Sequence, residues 1–177
     1  IAALSVSENL ESFITLMNNK AKVFGMDNTN FKNPDGIDEE NHYTTLNDLL
    51  KLSIKASESI EIISLVSKKK FVSDISGTEK VYSNTNLIID DGFIGMKTGW
   101  TDKAGLTFVG LNQSNDRSII TIVNKSYVDE NKYSHFSDSK LLYITSIGAY
   151  DNFNILNENT DIYNIRNSNK TITIKSK

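Results

Sequence analysis

Between Gly92 and Asn124 the sequence carries three β-patterned runs, Gly92 to Thr101, Leu106 to Asn112 and Ser118 to Asn124. They are separated only by Asp102-Lys103-Ala104-Gly105 and by Gln113-Ser114-Asn115-Asp116. Connections this short join antiparallel neighbours, because a parallel crossover needs about a dozen residues or more. The middle of the chain is therefore expected to be an antiparallel sheet, and the helical patterns before and after it are expected to flank that sheet in an α+β fold.

Upstream, Leu10, Phe13, Ile14, Met17, Ala21 and Phe24 recur at helical spacing and read as core packing. Ser5 or Ser7 can cap this helix, Glu8 and Glu11 suit its positive end, and Gly25 sits where a left-handed residue ends it. Asn33-Pro34-Asp35-Gly36 reads as a turn. Thr45-Leu46-Asn47-Asp48 has the form of an N-terminal cap, opening a helix through Leu49, Leu50, Leu52 and Ile54; a shorter one follows around Ile60 to Val66. Phe71 to Ile75 and Lys80 to Tyr82 flank a Ser76-Gly77-Thr78 turn and predict a hairpin. Ser137 to Tyr150 predicts a closing helix with Leu141, Leu142, Ile144 and Ile147 facing inward. Past Phe153 the chain turns Asn-rich, with strand patterns at Ile162 to Ile165 and Thr171 to Lys175. A domain boundary is expected near residue 153, giving 1–153 and 154–177.

Composition excludes several classes of function. A net charge of -3 with Arg117 and Arg166 as the only arginines gives no footing for nucleic acid. The absence of cysteine removes disulfides and thiolate chemistry. His42 and His135 stand far apart in sequence without ligand-like neighbours, so no metal or cofactor is expected. Lys68-Lys69-Lys70 reads as a solvated strand end. No apolar stretch approaches the roughly 20 residues of a membrane span.

Chemistry concentrates in Lys97-Thr98-Gly99-Trp100-Thr101. On a strand Lys97 and Gly99 share one side and Thr98 takes the other. A lysine ammonium beside a cleft stabilises anions and assists proton movement. A threonine hydroxyl donates to a carboxylate, and a glycine lets a substrate backbone lie against the strand. The Trp100 N–H can face a developing oxyanion. A phosphate-binding loop is excluded, because Met96 precedes Lys97 and Gly92 and Gly95 are misplaced. Ser-x-x-Lys, Ser-Asp-Asn and Lys-Thr-Gly form the motif set of penicillin-binding proteins and class A β-lactamases.

An ordered series of segments extends this likeness. Phe13-Ile14-Thr15-Leu16-Met17-Asn18, Lys20-Ala21-Lys22 and Gly25-Met26 come first, then Asn28-Thr29 through Asn33-Pro34-Asp35-Gly36. His42-Tyr43-Thr44-Thr45 with Asp48-Leu49, Gly95 through Gly105, and Phe136-Ser137-Asp138-Ser139-Lys140-Leu141-Leu142 complete it. From Phe13 to about Phe153 the chain resembles the low-molecular-weight penicillin-binding proteins, the D-alanyl-D-alanine carboxypeptidases of the S11 serine peptidase family. The resemblance implies the fold of the penicillin-recognising serine peptidases, incomplete here, with the start of a β-rich second domain.

It also implies a function: release of D-Ala from peptidoglycan stem peptides ending in D-Ala-D-Ala through an acyl-enzyme, with β-lactams acylating the same serine. Thr98 and Thr101 would hold the terminal carboxylate, and Gly99 would leave room for the peptide. Lys97 would supply positive potential, and the Trp100 N–H would supply one oxyanion donor. The family's Ser-x-x-Lys and Ser-x-Asn should precede Phe13. The literal Ser-x-x-Lys matches at Ser67 to Lys70 and Ser137 to Lys140 fall after Phe13, and Ser7-Glu8-Asn9 lies only a few residues before it, where the resembling proteins have the turn that begins the helix. The chain is thus expected to be a C-terminal portion lacking the nucleophile, inactive alone and partnered by the missing N-terminal part of its own domain. An extracytoplasmic, cell-wall or membrane-associated setting follows for the intact protein. A β-lactamase and a non-catalytic peptidoglycan-binding module remain the alternatives.

Overall fold

The computed structural model describes residues 2–74, 77–114, 117–127, 130, 133–149, 162–167 and 170–175. The chain divides into two compact units, Ile1–Ile144 and Thr145–Lys177. In the first, α1 (Ala2–Val6), α2 (Leu10–Val23), α3 (Leu46–Ser57) and α4 (Ile60–Val66) precede a hairpin of β1 (Lys70–Ser73) and β2 (Lys80–Ser83). Then come β3 (Phe93–Thr101), β4 (Gly105–Ser114) and β5 (Arg117–Ser126), paired antiparallel in the order β3-β4-β5. The last helix, α5 (Ser134–Ala149), begins in this unit. In the second unit β6 (Ile162–Asn167) pairs antiparallel with β7 (Lys170–Lys175). The expected α+β architecture, antiparallel sheets flanked by helices, is what the chain adopts. The expected boundary near residue 153, like the hairpin residues Ile75 and Ser76, lies outside the described residues.

Local chemistry sets the helix ends. Thr45 caps α3 as its motif requires, its side chain accepting from the Asp48 N–H at 3.2 Å. The cap of α2 differs from expectation. Asn9 holds that position, its Oδ1 accepting from the Ser12 N–H at 2.8 Å, while the Ser7 hydroxyl donates back to the Ala3 carbonyl at 2.8 Å. Ser7 is thus spent on α1, and Asn9 sits one residue before the first helical turn. Gly25 takes φ +68 just past the end of α2, as expected.

The core is aromatic. Ile88, Phe93, Phe108 and Phe136 form the buried cluster, with Tyr143 packed against it. Phe108 and Phe136 meet edge-on at 5.1 Å between ring centroids. This choice of partners corrects the reading of α5. Leu141 and Ile144 are each 65% exposed, and Leu142 and Ile147 are exposed too, while His135, Phe136 and Ser139 are buried. Apolar residues surround this helix on all sides, and the rings of the sheet select the face that carries Phe136 and Tyr143. On α2 the expected stripe is only partly covered: Ala21 is buried, Phe13, Ile14, Met17 and Phe24 are half-buried, and Leu10 is exposed.

A buried carboxylate ties α3 to the loop after α2. Asp48, 0% exposed, accepts from the Asn28 N–H at 2.8 Å, the Thr29 hydroxyl at 2.9 Å and the Lys51 ammonium at 3.2 Å. Burial pushes this carboxyl up. The hydrogen bonds from Thr29, Asn28 and Lys51, with the Lys51 charge, outweigh burial and hold it below its ordinary value of 3.8. A depressed folded-state pKa stabilises the fold above the unfolded value, and that contribution is lost as pH falls through the folded one. Asp48→Asn is therefore expected to lower the thermal midpoint at pH 7 and to differ less from the parent at pH 3. Equal gaps at both pH values in thermal melts would contradict a role for the ionised form.

Candidate active site

Strand β3 is an edge strand: β4 pairs with one side, and among the described residues no strand pairs with the other. The register sets Lys97 opposite Val109, Thr98 opposite Phe108, Gly99 opposite Thr107, Trp100 opposite Leu106 and Thr101 opposite Gly105. Directly opposed residues share a face of the sheet. Thr98 and Trp100 therefore lie on the face of Leu106 and Phe108, where α5 packs, and Lys97, Gly99 and Thr101 on the other. This is the alternation expected from the sequence.

On the Thr98 face a groove of about 450 Å³ runs past Thr98, Gly99 and Trp100, bounded by Asn84, Thr85 and Phe136 among others. Trp100 is 55% exposed at its rim. The Thr98 hydroxyl is half-buried and shares a 2.6 Å hydrogen bond with the Thr85 hydroxyl. Lys97 is exposed and outside the groove lining, its ammonium donating to the Thr98 carbonyl on its own strand.

Thr101 is placed differently from Thr98. Its hydroxyl donates to Asp38 Oδ1 at 2.8 Å and accepts from the Ala104 N–H at 3.0 Å. Asp38 Oδ2 also accepts from the Lys103 N–H at 3.2 Å. The turn after the Lys-Thr-Gly triplet is thus tied to the loop between α2 and α3. Neither Asp38 nor Thr85 stands out in the sequence. Asp38 acts 63 residues away, which no local pattern discloses, whereas the flanking asparagines of Asn84-Thr85-Asn86 were a usable sign of a pinned residue.

Gly99 has a specific neighbour. A Cβ at this position would stand 2.6 Å from the Thr107 hydroxyl oxygen, and that hydroxyl donates to the Gly99 carbonyl at 3.1 Å. The bare α-carbon therefore keeps β3 seated on β4 as well as leaving the strand surface low. Gly99→Ala is expected to cost about 1 to 2 kcal/mol, because Thr107 must turn and lose its bond. In a Thr107→Ala background the same change should cost much less, a coupling that a double-mutant cycle of urea unfolding measures.

The literal Ser-x-x-Lys strings do not build a nucleophile. Ser67 ends α4, and Lys70 opens β1, exposed. Ser137 is exposed on α5, and its Lys140 pairs with Asp91 at 2.5 Å. Among the described residues no cluster of three or more His, Asp or Glu side chains could hold a metal.

Comparison with known proteins agrees with this geometry. The family model for D-alanyl-D-alanine carboxypeptidase, peptidase S11, matches residues 2–126. The chain is 33% identical over 124 residues to the D-alanyl-D-alanine carboxypeptidase DacF of Bacillus subtilis, covering 67% of this chain and 31% of that protein. It is 32% identical over 137 residues to the D-alanyl-D-alanine endopeptidase of Escherichia coli, covering 75% of this chain and 43% of the relative. Thus the chain spans between 30% and 43% of the length of these curated relatives. Among solved structures, the Streptomyces K15 DD-transpeptidase superposes with a TM-score of 0.71 at 26% identity, over 78% of this chain and 55% of the other. Penicillin-binding protein D2 of Listeria monocytogenes, in its cefotaxime-bound form, gives 0.67 at 30% identity over 76% and 55%. With the Lys-Thr-Gly strand, its groove and the match across most of the sequence in agreement, the chain belongs to the S11 family of D-alanyl-D-alanine carboxypeptidases.

Proposed function

We propose that this chain is the Lys-Thr-Gly-bearing part of a serine-type D-Ala-D-Ala carboxypeptidase that trims peptidoglycan stem peptides outside the cytoplasm. The observation that carries the reading is an edge strand bearing Lys97-Thr98-Gly99 beside a groove, in a chain of this family. A peptide can lie extended along that open edge. A serine supplied by a Ser-x-x-Lys segment outside these residues attacks the carbonyl of the penultimate D-Ala. Its proton passes to the leaving amine as the C–N bond breaks, D-Ala departs, and water then cleaves the acyl ester and returns the proton to the serine. Thr98 donates to the terminal carboxylate. Thr101, whose proton goes to Asp38, keeps the adjoining turn in place. Lys97 supplies positive potential and a bond to the Ser-x-Asn serine, and the Trp100 N–H is one of two oxyanion donors.

The test is release of D-Ala from a diacetylated tripeptide ending in D-Ala-D-Ala, together with labelling by a fluorescent penicillin. The intact protein is expected to do both, and the 177 residues alone neither. Measurable D-Ala release by the isolated chain would overturn the placement of the nucleophile. Rapid β-lactam turnover without D-Ala release by the intact protein would make it a β-lactamase. Similarity to a structure described as a DD-transpeptidase supports a second reading, in which an amine replaces water as acyl acceptor. Loss of free D-Ala-terminated acyl product on adding an amine acceptor would favour it.

A further inference from the structure

We infer that Thr85 is a positioning residue for the ligand carboxylate, acting through Thr98; the inference rests on the carboxylate-binding reading of the groove. Thr85 and Thr98 are separated by 13 residues, yet their hydroxyl oxygens lie 2.6 Å apart at the groove wall. Two hydroxyls so close carry two protons. One lies between the oxygens, and the other points away, free for an acceptor. A carboxylate is such an acceptor, with two oxygens and no proton of its own.

The segment that bears Thr85 is pinned on both sides by asparagine. The Asn84 side-chain amide donates to the Val66 carbonyl at 3.0 Å and the Lys68 carbonyl at 2.8 Å, and its backbone N–H donates to the Lys69 carbonyl at 2.8 Å. The buried Asn86 amide donates to the Phe93 carbonyl at 2.7 Å, at the start of β3, while its Oδ1 accepts from the Ile88 N–H at 3.2 Å. The Asn84 Oδ1 accepts from the Asn86 N–H at 2.9 Å, closing the pair. Two asparagines thus anchor the segment of a single exposed threonine to α4, to the link between α4 and β1, and to the strand that carries Thr98.

Stability alone gives little reason for this arrangement, because an exposed hydroxyl is equally satisfied by water. Among the described residues no arginine or lysine lines the groove, so the neutral donors there carry most of the local work on an anion. A hydroxyl that already accepts a hydrogen bond donates more strongly, and Thr85 can supply that polarising bond to Thr98. Thr85 thereby orients the Thr98 proton toward the carboxylate and strengthens it.

The test uses the intact protein carrying Thr85→Val or Thr85→Ser, with two peptides that differ only in a terminal carboxylate or amide. Thr85→Val is expected to lower kcat/KM for the carboxylate peptide about tenfold and to leave the amide peptide unchanged. Thr85→Ser should restore the carboxylate rate to within about threefold of the parent. An unchanged ratio between the two peptides in Thr85→Val overturns the inference, as does an equal fall for both. If the parent releases no D-Ala, the peptidase reading fails by itself, and acylation by benzylpenicillin against its methyl ester becomes the readout. There too, selective slowing of the free acid in Thr85→Val supports the role of Thr85, and no change overturns it.

Discussion

Replacing Lys97 by methionine in the intact protein is expected to lower kcat/KM for D-Ala release by about 10² to 10³ while leaving stability nearly unchanged. The side chain is exposed, and its ammonium is held by the Thr98 carbonyl of its own strand, so few native contacts depend on it. Surface substitutions of this kind stay within about 0.5 kcal/mol. Methionine keeps about the length of the stem and removes the ammonium, its charge and its N–H donors together, which separates the polar head from the shape of the stem. Lys97→Arg should retain part of the activity, since it preserves charge but changes donor geometry. Parent-level penicillin acylation in Lys97→Met would remove this lysine from the chemistry.

Phe108→Ala is expected to have the largest effect on stability, about 3 to 5 kcal/mol. Phe108 is 0% exposed and lies against Phe136 at 5.1 Å, Phe93 at 6.2 Å and His135 at 6.3 Å between centroids. It also stands opposite Thr98 in the β3–β4 register, so a hole there loosens the support beneath the Lys-Thr-Gly strand. A domain has about 5 to 15 kcal/mol in total, and this loss brings it close to unfolding. Urea unfolding of the variant, set beside Phe71→Ala on the exposed face of the hairpin, measures the contrast. A loss under about 1 kcal/mol at Phe108 would mean that the aromatic cluster is not the core.

The features readable in advance were those with a local cause. Thr45 and Asp48 announce the start of α3 because a cap acts over three residues. The meander is visible because each connection is short and each strand alternates. The buried face of α5 was hidden, since Leu141, Leu142 and Ile144 are as apolar as the side that packs, and only the rings of β3 and β4 decide between them. Finding Asn9, rather than the expected Ser5 or Ser7, as cap of α2 required knowing that Ser7 bonds backward to Ala3. In the site, the triplet and its facing alternation were legible. The ties Asp38–Thr101 and Thr85–Thr98 join residues distant in sequence, and side-chain hydrogen bonds of that kind leave no periodic trace.

A strand edge left open among the described residues, and proposed to receive a wall peptide, can equally receive another copy of itself. If two molecules met there antiparallel, in register at Lys97, their ammoniums would face each other, and the repulsion would oppose the pairing. The charge proposed to attract an anionic guest would thus also oppose self-association along this edge.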